Sequence, residues 1–362
     1  MKNHKINLFG EKISKNPLLR DIFIMPPFSV MNAREGEWQN RKRLWIKLGI
    51  QSELGRGENL QGLSSANNEY RYNKKAYFAR LNKISPGGSP RPACDYSKKE
   101  RGDGRGRPLK KINGLIFKDV GSMAEVFEAR GGGTSIFDPV LTELMYKWFC
   151  PKNGKIFDPF AGGSVRGIVA NYLGYKYTGI DLSKVQIESN REQAKNILKN
   201  NLPEWIVGDG KDCLTIAKGK YDFIFSCPPY GNLEVYSDDE KDLSTLDYPD
   251  FLKAYFQIII RSTKMLKQNR FACFVVANFR DKKTGFYNTL VSDTIRAFQK
   301  AGALYYNECI LVTAIGSLPI RIKNQFKSGR KIGKTHQNVL IFYKGNPKEI
   351  KNNFKEIEKH KW

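Results

Sequence analysis

Apolar and polar positions along the chain fall into two regimes. Through residues 1–84 they follow no long period. The exception is 33–48, where Trp38, Trp45 and Leu48 recur at helical spacing and Arg41, Lys42, Arg43 and Lys47 line the other side. That predicts an amphipathic surface helix with packed tryptophans and a basic side free to touch phosphates. Residues 85–112 begin Pro-, Gly- and Arg-rich and read as a flexible linker or mobile basic loop.

From about Asp138 the pattern becomes regular. Helices are predicted over 139–150, up to 173, 184–200, 248–267 and 286–301. Strands are predicted over 155–160, 177–181, 204–207, 221–226, 270–278, 304–313 and 338–343. Strands alternating with helices predict a doubly wound α/β sheet, mostly parallel. The last two strands lack an intervening helix and are joined by a long basic loop, so the final strand is expected to pair antiparallel. The expected organisation is a basic N-terminal extension over 1–84, a linker over 85–112, the α/β domain over 113–345 and a charged tail over 346–362.

Composition narrows the class. No apolar run approaches the roughly 18 residues of a membrane span, and the first residues carry no apolar core of a secretory signal. The six cysteines form no CxxC pair and there are only three histidines, so no metal site is expected and a reducing cytoplasm is. The net charge of +25 points to a polyanion. Residues 1–110 carry 23 basic and 10 acidic residues, 111–230 carry 15 and 13, and 231–362 carry 23 and 13. A nearly neutral centre therefore lies between two basic flanks, as a small-molecule core framed by polyanion-facing surfaces would.

Four strand ends carry candidate chemistry. Phe157-Asp158-Pro159-Phe160-Ala161-Gly162-Gly163-Ser164 joins a strand to a helix through small residues, with neither P-loop nor dinucleotide glycine spacing. Glycines there let a ligand approach the backbone, and the helix start offers free N–H groups. Gly179-Ile180-Asp181 ends the next strand, where a carboxylate can accept from both hydroxyls of a ribose or cap the following helix. Gly208-Asp209-Gly210 ends the third; Asp209 can accept from an adenine amine or simply close a turn. Ser226-Cys227-Pro228-Pro229-Tyr230 follows the fourth, and there two prolines stiffen the backbone ahead of an aromatic ring. That combination suits a planar base with an exocyclic amine: a rigid carbonyl accepts the N–H and the ring stacks.

These motifs, in this order, resemble the S-adenosylmethionine-dependent DNA adenine-N6/cytosine-N4 amino-methyltransferases, and most of all the phage and prophage modification methylases. The resemblance spans roughly residues 134–345. It implies a Rossmann-like methyltransferase sheet and S-adenosyl-L-methionine as cofactor. It places Asp158, Pro159, Phe160, Ala161, Gly162 and Gly163 in the cofactor methionine loop, and Asp181 with Leu182 at the ribose. Asp209 with Gly210 would lie at the adenine, and Ser135 and Phe137 in a segment closing over the cofactor. Cys227, Pro228, Pro229 and Tyr230 match the catalytic tetrapeptide, except that Cys227 replaces the usual Asp, Asn or Ser, so the cue to the methylated base is lost. Cytosine-C5 chemistry would call for a Pro-Cys dipeptide, and the chain has none.

The implied reaction is direct methyl transfer to the amine of a base flipped out of double-stranded DNA. Residues 231–250, acidic and loop-like, are a lid or a solvated loop. The basic loop over 316–337 carries Arg321, Lys323, Lys327, Arg330, Lys331 and Lys334 with no acid, and is the expected phosphate contact. Met25-Pro26-Pro27-Phe28 reads as a turn outside any strand. Two alternatives stay open: an RNA amino-methyltransferase, and a nucleic-acid-binding protein with a degenerate methyltransferase fold.

Overall fold

The computed structural model describes residues 19–51, 137–231, 241–316, 318–354 and 357. The predicted linker over 85–112, the segment around Ser135, and residues 232–240 of the acidic stretch lie outside them.

In chain order the elements are α1 (Leu19–Phe23), β1 (Val30–Asn32), α2 (Gly36–Lys47), α3 (Pro139–Phe149), β2 (Lys155–Asp158), α4 (Val165–Tyr172), β3 (Lys176–Asp181), α5 (Lys184–Ile197) and β4 (Glu204–Val207). They continue with α6 (Cys213–Ile216), β5 (Tyr221–Ser226), α7 (Tyr248–Met265), β6 (Leu266–Val276), β7 (Phe279–Arg280), β8 (Tyr287–Asn288) and α8 (Leu290–Lys300). The last are β9 (Leu304–Val312), α9 (Leu318–Gly329), β10 (His336–Lys344) and α10 (Ile350–Asn353). Eight strands form one sheet in the order β1-β9-β10-β6-β5-β2-β3-β4, and β7 pairs with β8 in a separate hairpin. Among these eight, only β10 runs antiparallel to its neighbours β6 and β9. This is a doubly wound α/β sheet, mostly parallel with an antiparallel final strand, as the pattern of strands and helices predicts.

The sheet is apolar on both faces because helices cover both, and the strand period of two sorts its side chains between them. On β5, Phe223 and Phe225 face a core made with α2, α3, α4 and α5, while Ile224 faces a core made with α7 and α8. Phe271, Cys273 and Val275 of β6 alternate with Ala272, Phe274 and Val276 in the same way. In α7, Phe251, Tyr255, Ile258 and Ile259 form the buried stripe. That helix begins at an Asp247 side chain that accepts from the Asp250 N–H, with Pro in its first turn.

Residues 19–51 belong to the sheet's body. β1, outside any predicted strand, adds a parallel edge to β9 in the register Val30↔Ile310, and Met25–Phe28 is the turn that leads into it. Arg34 Nε donates to the Thr313 carbonyl at 2.7 Å beyond the same edge. The helix predicted over 33–48 is α2, and Trp38 and Trp45 are buried as expected. Its basic side is not wholly free, however. Arg41 makes a two-pronged ion pair with Glu143, which is fully buried, and Lys42 Nζ lies 3.3 Å from Asp138. Both indoles also donate to these carboxylates. A buried carboxylate without such partners would cost several kcal/mol, so α2 and α3 form one unit.

Other differences are local. The polar start of β6, Lys267-Gln268-Asn269, extends the strand straight out of α7 rather than beginning it at 270. The helix predicted over 286–301 starts only at Leu290, because Tyr287–Asn288 pairs with Phe279–Arg280. The basic loop predicted between β9 and β10 is largely a helix, α9. Pro319 fits its first turn, and Arg330 ends it at φ 50° while its N–H returns to the Phe326 carbonyl.

Candidate active site

Chain order along the sheet reverses between β2 and β5: β3 and β4 lie to one side, β6 to the other. In open α/β sheets, the crevice at the carboxyl ends of strands flanking such a reversal is where ligands bind. Asp158 ends β2 and Ser226 ends β5, so the first and fourth motifs face each other across that crevice.

Asp158 is wholly buried. Its carboxylate accepts from Arg166 Nε at 2.5 Å, Tyr177 Oη at 2.8 Å, Ser226 Oγ at 2.6 Å and the Phe160 N–H at 3.1 Å. With these bonds it ties the two loops together. Arg166 completes the tie: its guanidinium also donates to the Phe160 and Ala161 carbonyls and lies 4.5 Å from the centre of the Phe137 ring. Burial works against charge on Arg166, but Asp158 more than restores it, so the cation is held beyond its usual range. Burial and then Asp158 push the Tyr177 phenol up, keeping it a donor.

The Pro159–Gly163 loop is pinned from above as well. Ala161 N–H donates to the Ile180 carbonyl, and Asn190 Nδ2 donates to the Gly162 carbonyl at 2.7 Å. Gly162 has φ +51°, and a Cβ there would meet nothing within 4 Å, so open space lies over the loop. Gly210 sits under it, its α-carbon facing the Pro159 carbonyl so closely that a Cβ would come within 2.8 Å. Asp181, half-buried at the end of β3, accepts from the Gly162 N–H at 2.8 Å through one oxygen and from the Ser183 N–H at 2.9 Å through the other. Burial raises its pKa, against the pull of those two bonds. The cap of α5 is instead the Ser183 hydroxyl, which accepts from the Gln186 N–H. Asp209 caps a short turn at Gly210–Asp212 and pairs with Lys211 at 3.1 Å. Leu182 is half-buried beside Asp181. These residues stand on the β2–β3–β4 side of the crevice, with Asp158 beneath them and Ser135 outside the described residues.

On the β5 side, Pro228 is buried and Cys227, Pro229 and Tyr230 are half-buried. Tyr230 Oη accepts from Gln337 Nε2 at 2.8 Å and lies 3.8 Å from Cys227 Sγ. Residue 227 therefore sits against the tyrosine that the motif presents. The six cations of the α9 segment are not equivalent. Lys323, Lys327, Arg330 and Lys331 are exposed and Arg321 is half-buried, whereas Lys334 donates to the Asn278 carbonyl at 3.1 Å. Among the described residues no cluster of His, Cys, Asp or Glu can hold a metal ion, and no helix is long and apolar enough to cross a membrane.

Sequence reading missed Arg166, Tyr177, Asn190, Ser226 and Gln337. Arg166 had a signal: it is the single charged residue in the otherwise apolar or small helix Val165–Tyr172, where a cation needs a buried partner. Gln337 is visible in sequence only as part of the His336-Gln337 pair that begins the final strand; its partner Tyr230 lies 107 positions away.

No family model and no curated protein matches the sequence. Solved structures do. TrmN from Thermus thermophilus is 12% identical with a TM-score of 0.38, the match covering 57% of this chain and 49% of that one. A TehB-like SAM-dependent methyltransferase from Corynebacterium glutamicum is 16% identical with a TM-score of 0.37, over 62% and 95% of the two chains. Magnesium protoporphyrin IX methyltransferase from Synechocystis, with bound SAM, is 11% identical with a TM-score of 0.37, over 62% and 92%.

Proposed function

We propose that this chain transfers a methyl group from S-adenosylmethionine to the exocyclic amine of adenine (N6) or cytosine (N4) in double-stranded DNA. The observation that carries the reading is the Asp158–Ser226 bond at the strand reversal. It holds a glycine loop with open space above it beside a Cys-Pro-Pro-Tyr turn, which is the arrangement a cofactor and a planar base need side by side.

The donor set fits that cofactor. Asp181 retains acceptor capacity on both oxygens for a ribose diol, Asp209 stands one strand further for an adenine amine, and Gly162 leaves room for a chain to pass. When bound, S-adenosylmethionine supplies a methyl group on a positively charged sulfur. The protein's own part is placement and polarisation. The Pro228 carbonyl accepts a hydrogen bond from the target amine and draws its lone pair out of conjugation with the ring, and the amine's surplus proton is lost to solvent as the methyl group is transferred. Tyr230, fixed by Gln337, stacks on the base. Cys227 is a weak acceptor and contributes through its contact with Tyr230. The overall charge of +25 supports a nucleic-acid substrate.

The test is tritium transfer from labelled S-adenosylmethionine to unmethylated genomic DNA and, separately, to total RNA, followed by nucleoside mass spectrometry. N6-methyladenine or N4-methylcytosine in DNA is expected. Label confined to RNA, or cofactor binding with no transfer to either polymer, overturns the substrate assignment.

A further inference from the structure

The β7–β8 hairpin is absent from the sequence-based prediction, and its turn is closely hydrogen-bonded. Its two rungs are Phe279↔Asn288 and Arg280↔Tyr287. Between them the turn is fully tied. Asp281 N–H donates to the Phe286 carbonyl and Gly285 N–H to the Asp281 carbonyl, while Asp281 Oδ1 accepts from the N–H groups of Lys283 and Thr284. Arg280 donates to the Gly285 carbonyl and its guanidinium lies 4.1 Å from the centre of the Tyr287 ring.

What this turn presents is Phe286, 78% exposed, with Tyr287 44% exposed beside it. The backbone bonds of the turn fix the position from which this ring projects. The root of the hairpin reaches the catalytic turn directly. Phe279 is buried and lies against Gly231, the residue after Tyr230, so closely that a Cβ on Gly231 would come within 2.7 Å of the ring. On its flank stands the cationic segment after α9: Lys331 Nζ is 3.7 Å from where a Gly285 Cβ would be, and Lys334 holds the Asn278 carbonyl just before β7.

An exposed aromatic ring on a tied turn among cations, rooted against the Cys-Pro-Pro-Tyr turn, matches a polynucleotide strand. Cations track the phosphates, and a ring at the protein surface takes the face of an unstacked base. An anionic membrane also attracts lysines, but it is held by a broad apolar face, and this hairpin offers two rings. We infer that the β7–β8 hairpin is a strand-engaging finger: Phe286 stacks on a base flanking the methylated one, while Arg280, Lys283 and Lys331 contact adjacent phosphates. This rests on the nucleic-acid methyltransferase reading above.

The experiment compares full-length wild type with Phe286→Ala, Phe286→Trp and Lys283→Gln/Lys331→Gln, using a short fluorescein-labelled duplex for affinity and unmethylated genomic DNA for tritium transfer. Phe286→Ala should weaken duplex binding and raise KM for DNA by about 5- to 100-fold, the range that loss of one stacked base gives. Its melting temperature and its affinity for S-adenosylmethionine should match wild type. Phe286→Trp should restore binding, and its added emission should be quenched by DNA. The double lysine variant should lower the salt slope of binding by about two. If wild type methylates DNA and Phe286→Ala does so with unchanged KM and affinity, the finger is wrong and the proposed function stands. Should wild type bind and methylate no nucleic acid, both fall. Loss of binding to phosphatidylglycerol vesicles instead of DNA also overturns the finger.

Discussion

Replacing Arg166 by Met tests whether the site is held together by the buried Asp158 network. The two side chains are 5% and 0% exposed, and their contact is a 2.5 Å charge-assisted bond. Methionine keeps most of the volume and removes the cation. Asp158 is then a fully buried carboxylate with three neutral donors left, Tyr177, Ser226 and the Phe160 N–H. Breaking one side of such a pair costs about 3–5 kcal/mol. The Phe160 and Ala161 carbonyls also lose a donor, but they border the crevice and can take water, so a central value is about 4 kcal/mol. At about 2–4 °C per kcal/mol, the melting temperature should fall by about 8–16 °C. The second arm is decisive. Asp158→Asn alone leaves an unpaired buried guanidinium and should cost a similar amount, yet Asp158→Asn/Arg166→Met leaves no buried charge. The double variant should be no less stable than either single one, a coupling of about 4 kcal/mol in urea titrations. A single-variant cost below about 1 kcal/mol, or costs that simply add in the double, would refute the network as the tie between the loops.

Three further outcomes are expected. Asp181→Ala should weaken S-adenosylmethionine binding by about 10- to 100-fold in titration calorimetry, the worth of hydrogen bonds to a charged acceptor; since burial raises the Asp181 pKa, wild-type affinity should fade on acidification earlier than an ordinary carboxylate would dictate. Gln337→Leu, which removes the hydrogen bond from Gln337 to the Tyr230 hydroxyl, should lower kcat/KM for DNA by about 2- to 10-fold and have no further effect in Tyr230→Phe; additive losses in that pair would show that Gln337 acts elsewhere. Asp222 is opposed by burial but held below the usual carboxylate range by Lys267, the Lys155 N–H and Arg270. Its stabilisation is therefore present above about pH 4 and lost as pH falls through the lowered value, so Asp222→Asn should flatten the acid limb of melting temperature against pH and lower its neutral plateau.

The parts of the fold that were legible in sequence are those whose pattern is local. β2, β3, β4 and β5 are short apolar runs ended by Asp158, Asp181, Gly208 and Cys227, and each was placed within about two residues. β1 has three residues and no period; it is a strand only because β9, 280 positions later, offers an open edge. β7 and β8 have two residues each, too few for any alternation to register. The 316–337 segment, rich in Lys, Gly and Ser, reads as a loop, and it takes a proline in the first turn and a left-handed Arg330 to make it a helix. At the site, motif order located the strand ends but not their roles. Asp158 looks like a ligand in sequence because its position in the loop is visible, whereas Arg166, Tyr177 and Ser226, which consume its lone pairs, come from three other elements.

That difference bears on how the crevice works. Asp158 bonds across the reversal to Ser226, Gly162 is held by both Asp181 and Asn190, and Tyr230 is held by Gln337. Both walls are therefore fixed to the sheet by bonds between buried or half-buried groups, which open only at several kcal/mol. Under the proposed function, a flipped base enters between them. With the walls fixed, adjustment to the substrate falls to the segments around them, and two of these, the β7–β8 hairpin and the α9 segment, are exposed and cationic. The division matches the charge along the chain: the described wall residues Asp158–Tyr230 come from the nearly neutral stretch 111–230, and much of the surplus of residues 231–362 stands on the hairpin and the α9 segment. Substitutions in the walls should thus appear as losses of stability and cofactor affinity together, while those on the hairpin and the α9 segment should change DNA affinity and its salt dependence at constant melting temperature. A hairpin or α9 variant that lowered the melting temperature as far as Arg166→Met does would mean that the walls and these segments are one cooperative unit, and that the substrate meets a pocket already closed.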